Sequence, residues 1–122
     1  MNKKITVLYV DDEPINLELF EIIFEEKFQV LTAESGLEGL TILRSNPEIS
    51  VVISDMKMPG MNGIEFIRIA RQEFPYILFF ILTGFEITNE IADALNEKII
   101  DRYFRKPFDM DEIEEAIDNA MR

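Results

Sequence analysis

The 122-residue chain contains no cysteine and no histidine. Without cysteine there is no disulfide, thiolate zinc site, iron–sulfur cluster or cysteine nucleophile. Without histidine there is no imidazole metal ligand, no histidine general base and no Ser-His-Asp triad. Hydrolytic chemistry on this chain would rest on carboxylates, lysine or threonine, with a hard, oxygen-bound metal. Basic residues are scarce as well: 12 Lys and Arg stand against 24 Asp and Glu, a net charge of −12. That balance opposes direct nucleic-acid binding, which needs a basic face to neutralise phosphates. It opposes docking on anionic lipid for the same reason. Long apolar runs are missing too. The longest covers residues 76–82, and a spanning helix needs about 20 residues. Residues 5–10 follow Lys3 and Lys4 in faint imitation of a signal peptide, but they run straight into Asp11, Asp12 and Glu13 with no small-residue cleavage site. The expectation is a cytoplasmic protein with no membrane insertion.

What the chain does have is core material. Hydrophobic residues make up 48% of it, too many for a disordered chain and enough for a real interior. The length predicts one domain over residues 1–122, with no output domain in this chain. There is no internal repeat, low-complexity stretch or linker. Short apolar runs at 5–10, 28–32, 51–54, 77–82 and 99–104 read as strands buried on both faces, the fifth interrupted by Asp101 and Arg102. Amphipathic runs fall between them at 16–26, 34–44, 64–74, 88–96 and 109–121. The first carries Leu17, Phe20, Ile23 and Phe24 at helical spacing, and the second Leu37, Leu40 and Leu43. Pro14 opens the first helix, Thr88 suits the N-cap of the fourth and Asp109 or Asp111 that of the fifth.

Strict alternation of strand and helix implies an α/β fold: a central parallel sheet, helices on both faces, right-handed crossovers. The common five-strand doubly wound arrangement is the flavodoxin-like (βα)5 order 2-1-3-4-5, with its switch point between strands 1 and 3. Ligands bind outside the carboxyl ends of the strands there. In this chain strand 1 leads into Asp11 and Asp12, strand 3 into Asp55, strand 4 into Thr83, and strand 5 into Lys106 and Pro107. Strands 1 and 3 are neighbours in that order, so the three carboxylates converge. They repel one another and call for a cation. With no histidine or cysteine, Mg²⁺ suits the set. Lys106 adds a positive charge and Thr83 a hydroxyl donor. Such a set fits phosphoryl transfer to an aspartate, because a carboxylate can carry the group as a mixed anhydride. Mg²⁺, Lys106 and Thr83 would each meet one of the three equatorial oxygens.

At these residues the chain resembles the receiver domain of two-component response regulators. The landmarks run from Val10 to Pro14 (VDDEP), from Ser54 to Gly63 (SDMKMPGMNG), through Leu82-Thr83-Gly84, and from Tyr103 to Phe108 (YFRKPF). The resemblance covers residues 5–121. It implies that Asp55 accepts a phosphoryl group from a histidine kinase or a histidine phosphotransfer protein. It implies that Asp12 binds Mg²⁺ directly, Asp11 mainly through water, and the Lys57 backbone carbonyl completes the protein ligands; Mn²⁺ can substitute. Lys106 pairs with Asp55 and then with the phosphoryl group, and its bond to Pro107 is cis. Thr83 turns inward and Tyr103 follows from exposed to buried, coupling the chemistry to the surface of helix 4, strand 5 and helix 5. The side chains of Lys57 and Phe85, two places after Asp55 and Thr83, tune hydrolysis of the phosphoryl group; a bulky Phe85 would slow it. Two departures stand out. Asn62 occupies a place where the family often has Asp, and Glu97-Lys98 one where it often has Gly.

Other readings weigh less. An aspartyl-nucleophile phosphohydrolase usually has a second Asp two residues after the first, and here that residue is Lys57. An FMN carrier needs a Ser/Thr/Gly-rich loop after strand 1, where this chain has Asp11-Asp12-Glu13. A receiver-like scaffold that is never phosphorylated usually loses an acidic or lysine position, and none is lost here. The acidic runs at 11–26 and 109–118 read mainly as solvated helix faces. Lys98, Arg102 and Arg105 form a small basic cluster that pairs either with the last helix of the same chain or with that of a second copy. The oligomeric expectation is therefore a monomer or a phosphorylation-dependent homodimer. The expected role is a switch that acts on an unknown output domain or protein and turns over no separate substrate.

Overall fold

A computed structural model describes residues 4–84 and 87–121. Five strands and five helices alternate: β1 (Thr6–Val10), α1 (Pro14–Phe24), β2 (Gln29–Ala33), α2 (Gly36–Ser45), β3 (Ile49–Asp55), α3 (Gly63–Glu73), β4 (Leu78–Thr83), α4 (Asn89–Asn96), β5 (Arg102–Arg105) and α5 (Met110–Ala120). The strands form one parallel sheet in the order β2-β1-β3-β4-β5. This is the doubly wound α/β arrangement that the alternation implied.

The strand side chains alternate between two cores. Leu8 and Val10 of β1 face the α2–α3–α4 layer and join Leu40, Phe66, Ile67 and Ile91. Val7 and Tyr9 face the α1–α5 layer with Phe20, Phe24, Ile113 and Ile117. This second core is aromatic. Tyr9 stacks on Phe20 at 4.2 Å, and Phe24 packs 5.9 Å from Phe28 and 6.0 Å from Phe108.

The helix starts follow their caps. Pro14 fills the first turn of α1, where its missing N–H costs nothing. Ser35, Thr88 and Asp109 accept backbone N–H groups at the starts of α2, α4 and α5. At α3, Asn62 and Glu65 satisfy each other's backbone in a reciprocal capping box. Asn does this as well as Asp, so the departure at residue 62 leaves the turn intact.

Three expectations need correction. Ile23 and Leu37 fall on helical apolar spacings yet are 40% and 69% exposed. The α1 stripe is satisfied by Leu17, Phe20 and Phe24, so Ile23 is left on the rim. Strand 5 begins at Arg102, not at 99. The N–H groups of Ile99 and Ile100 both bond to the Ala94 carbonyl, closing the end of α4 before the chain becomes extended. The apolar pair at 99–100 is thus the anchor of a connection. That connection turns at Lys98, whose φ of 61° is left-handed. A side chain there costs roughly 1 kcal/mol, which explains why glycine suits this place. Lys98→Gly should raise unfolding stability by about 0.5–1 kcal/mol, measured by urea denaturation. A loss of stability would show that the lysine side chain contributes more than its backbone strain costs.

Candidate functional site

Parallel pairing puts the carboxyl ends of β1, β3, β4 and β5 on one sheet edge. Asp11 and Asp12 directly follow β1, Asp55 ends β3, Thr83 ends β4 and Lys106 directly follows β5. The structure therefore brings these five residues to one edge. Asp11, Asp12 and Asp55 each offer a carboxylate oxygen, and these atoms lie within 4.8 Å of one another. The Lys106 ammonium bridges two of them, 2.7 Å from Asp55 Oδ1 and 3.5 Å from Asp11 Oδ2.

The three acids are not equivalent. Asp11 is fully buried, and a buried charge survives only with donors around it. Its Oδ2 accepts from the Tyr9 hydroxyl at 2.7 Å and from Asn16 Nδ2 at 3.2 Å, while Oδ1 accepts the Glu13 N–H at 3.0 Å. Asp12 is half-buried, and its carboxylate accepts no hydrogen bond among the described residues. The donor set is hard oxygen throughout and one acid is open, which fits a small divalent cation such as Mg²⁺.

Burial pushes the Asp55 carboxyl above its ordinary value. Lys106 opposes that shift, and the Asp11 and Asp12 charges reinforce it. Burial pulls the Lys106 ammonium down, but its bond and charge interaction with Asp55, and then with Asp11, prevail and leave it raised. Burial, with the Asp11 hydrogen bond, also drives the Tyr9 phenol well above its usual range, so it remains a donor.

Thr83 is buried, and its carbonyl accepts the Lys106 N–H at 2.8 Å. Lys106 and Pro107 are joined by a cis peptide bond. Lys57 is exposed between buried Met56 and Met58. Tyr103 is half-buried on β5, beside Ile81 and against the α2–α3–α4 core. Phe85 lies outside the described residues. Tyr9 and Asn16 were not anticipated. Tyr9 had a legible signal, since residues two apart on a strand share a face. Asn16 had none beyond its place in the first turn after the acidic pair.

The family model for the response regulator receiver domain matches residues 7–118. The chain belongs to the receiver family. It is 35% identical over 119 residues to sporulation initiation phosphotransferase F of Bacillus subtilis, covering 96% of this chain and 92% of that protein. It is 32% identical over 120 residues to the hydrogenase transcriptional regulatory protein HoxA of Cupriavidus necator, covering 98% of this chain but 25% of that protein. The receiver thus spans about a quarter of such transcriptional regulators. Among solved structures, a response regulator receiver domain protein from Clostridium thermocellum superposes with a TM-score of 0.84 at 34% identity, covering 95% of this chain and 93% of that one. Receivers are signalling domains of two-component systems, and the acidic cluster here matches that role. Among the described residues no helix is long and apolar enough to cross a membrane.

Gly63 fixes the loop that follows Asp55. Its N–H bonds to the Met56 carbonyl at 2.9 Å. A Cβ at Gly63 would collide with the Asp55 carbonyl oxygen, which is backbone and cannot swing away, and would press on Ile81. Gly63→Ala should therefore lower stability by roughly 1–3 kcal/mol, read by denaturant titration; an unchanged midpoint would show that the loop yields.

The raised Asp55 value sets a second expectation. A carboxyl that binds its proton more tightly folded than unfolded destabilises the fold once ionised. The cost is absent well below pH 3.8 and complete above the raised value. In chelator at neutral pH, Asp55→Asn should therefore unfold at higher urea than the natural protein, and the gap should close as pH falls. Mg²⁺ should reverse the order: at ten times a given Kd, binding adds about 1.4 kcal/mol to the natural protein. Equal midpoints across pH would show that Lys106 fully offsets the burial of Asp55.

Proposed function

We propose that this receiver is a phosphorylation-dependent switch whose phosphoacceptor is Asp55. The observation that carries the reading is the Lys106 ammonium, 2.7 Å from Asp55 Oδ1 and shared with Asp11 beside an open Asp12. A carboxylate oxygen of Asp55 attacks phosphorus, the P–N bond to a donor phosphohistidine breaks, and the imidazole leaves with its electron pair and takes up a proton. The product is an aspartyl phosphate, a mixed anhydride. Lys106 pairs with one phosphoryl oxygen and the Thr83 hydroxyl donates to another. Asp12, Asp55 and the Lys57 carbonyl would hold Mg²⁺, with Mn²⁺ as a substitute. When bound, the ion supplies positive charge for the crowded carboxylates and the transferred oxygens.

The donor is a histidine kinase or a histidine phosphotransfer protein. Ile15, Leu19, Ile22 and Ile23 leave an exposed apolar stripe on α1. Leu19 and Ile23 also line a groove with Asn16, Lys106, Pro107 and Met110, which leads to the site. An apolar donor helix fits there. On the other side, Thr83 and Tyr103 transmit the phosphorylated state to the α4–β5–α5 face, which acts on an output domain or protein. Arg102 lies 3.8 Å from Glu112 of α5 and over the Phe104 ring, so part of the basic cluster is engaged within the chain. That favours a monomer before phosphorylation, with a homodimer as the phosphorylated alternative. By their places in the sequence, Lys57 and Phe85 set the lifetime of the phosphoryl group. Residues 1–122 act as one cytoplasmic receiver domain that turns over no separate substrate.

Intact mass after incubation with acetyl phosphate tests the reading. One phosphoryl group should appear with Mg²⁺, and none with chelator or in Asp55→Asn. Lys106→Ala should slow uptake roughly a hundredfold. Uptake by Asp55→Asn, or no uptake by the natural protein from either acetyl phosphate or a phosphohistidine donor, would refute it.

A further inference from the structure

Tyr9 lies two residues before Asp11 on the same face of the chain and is 2% exposed. Its ring is held by Phe20 at 4.2 Å and an interplanar angle of 12°. An ionised carboxylate only accepts, so the phenol donates the 2.7 Å bond to Asp11 Oδ2. Asn16 donates to the same oxygen at 3.2 Å, and the Glu13 N–H occupies Oδ1 at 3.0 Å. Asp11 is therefore close to saturated by neutral donors. Lys106, which reaches both acids, sits nearer Asp55 at 2.7 Å than Asp11 at 3.5 Å. A fully buried carboxylate that lost its phenol donor would draw on the nearest positive charge, either the Lys106 ammonium or a cation in the acidic cluster.

We propose that Tyr9 is a positioning residue: its hydroxyl keeps Asp11 from competing with Asp55 for Lys106 and for the divalent cation. The phosphoryl-transfer consequence rests on the switch reading above, whereas the cation-binding consequence does not. Tyr9→Phe keeps the ring and its stack on Phe20 and removes only the donor.

The test is a double-mutant cycle over Tyr9→Phe and Asp11→Asn, read by calorimetric titration with Mg²⁺. Urea unfolding of each variant in chelator confirms the fold. Tyr9→Phe should bind Mg²⁺ roughly 3- to 10-fold more tightly, because Asp11 then offers a bare carboxylate. The effect should vanish in the Asp11→Asn background. At saturating Mg²⁺, uptake from acetyl phosphate should fall in Tyr9→Phe although binding improves. A packing defect predicts instead that both weaken together. Unchanged or weaker Mg²⁺ binding by Tyr9→Phe overturns the proposal. So does an effect that persists undiminished with Asp11→Asn, or an absence of Mg²⁺ binding by the natural protein. If the natural protein binds Mg²⁺ but takes up no phosphoryl group, the switch reading fails while the binding cycle still decides the role of Tyr9.

Discussion

Crowding of like charge at one sheet edge is the constraint to which the rest of this structure answers. Three carboxylate oxygens within 4.8 Å of one another are an unfavourable arrangement in a folded protein. Lys106 relieves part of the repulsion by touching two of the acids. Burial of Asp55 restores some of the cost and keeps its carboxyl above its ordinary value. The site is left short of positive charge, which is the condition for attracting a cation. A fold optimised for stability alone would replace one of these acids. Their presence together is the sign of a site whose strain has a use.

The sheet makes that crowding possible. In a parallel sheet every strand ends on the same side, so residues far apart in sequence meet without any contact between their helices. Asp11 and Asp55 come from neighbouring strands, and Lys106 reaches them from the far end of the order. The helix caps fix the loops that carry these residues. The Asn62–Glu65 box and the close approach of Gly63 to the Asp55 carbonyl hold the β3–α3 loop. The bond between the Lys106 N–H and the Thr83 carbonyl ties β5 to β4 where both deliver their polar side chains.

Most of this was legible in the sequence because it depends on order and on strand ends. Alternating short apolar runs and amphipathic runs specify the doubly wound topology. The topology then places Asp11, Asp12, Asp55, Thr83 and Lys106 together without any knowledge of side-chain contacts. What could not be read was set by competition among apolar residues. Ile23 and Leu37 have the right periods for burial, but the sheet face has room for only part of each stripe. The 99–100 pair looked like the start of a strand, although its N–H groups close α4. The donors to Asp11 were hidden for another reason. A tyrosine in an apolar strand is ordinarily core, and only the position of its hydroxyl relative to the next residue on that face makes it part of a polar network.

The two layers differ in a way that bears on how a change at Asp55 travels. The α1–α5 side is packed with rings from Tyr9 through Phe20 and Phe24 to Phe108. Such a core resists displacement because every ring has neighbours on several sides. The α4 side is lighter. Its helix has eight residues, buries Ile91 and Ala94, and is followed by the left-handed Lys98. Exposed side chains join it to α3, with Arg68 on Glu97 at 3.2 Å and Asn62 near Glu90 at 3.4 Å. Exposed contacts of this kind are each worth about 1 kcal/mol or less. Rearranging α4 therefore costs far less than disturbing the aromatic layer. Thr83, at the end of β4 and bordering Thr88 and Ile91, stands between Asp55 and that softer element. Under the proposed switch, one new charge-bearing group at Asp55 acts along the lower-cost direction, toward α4 and Tyr103, and leaves the α1 face fixed for the proposed donor.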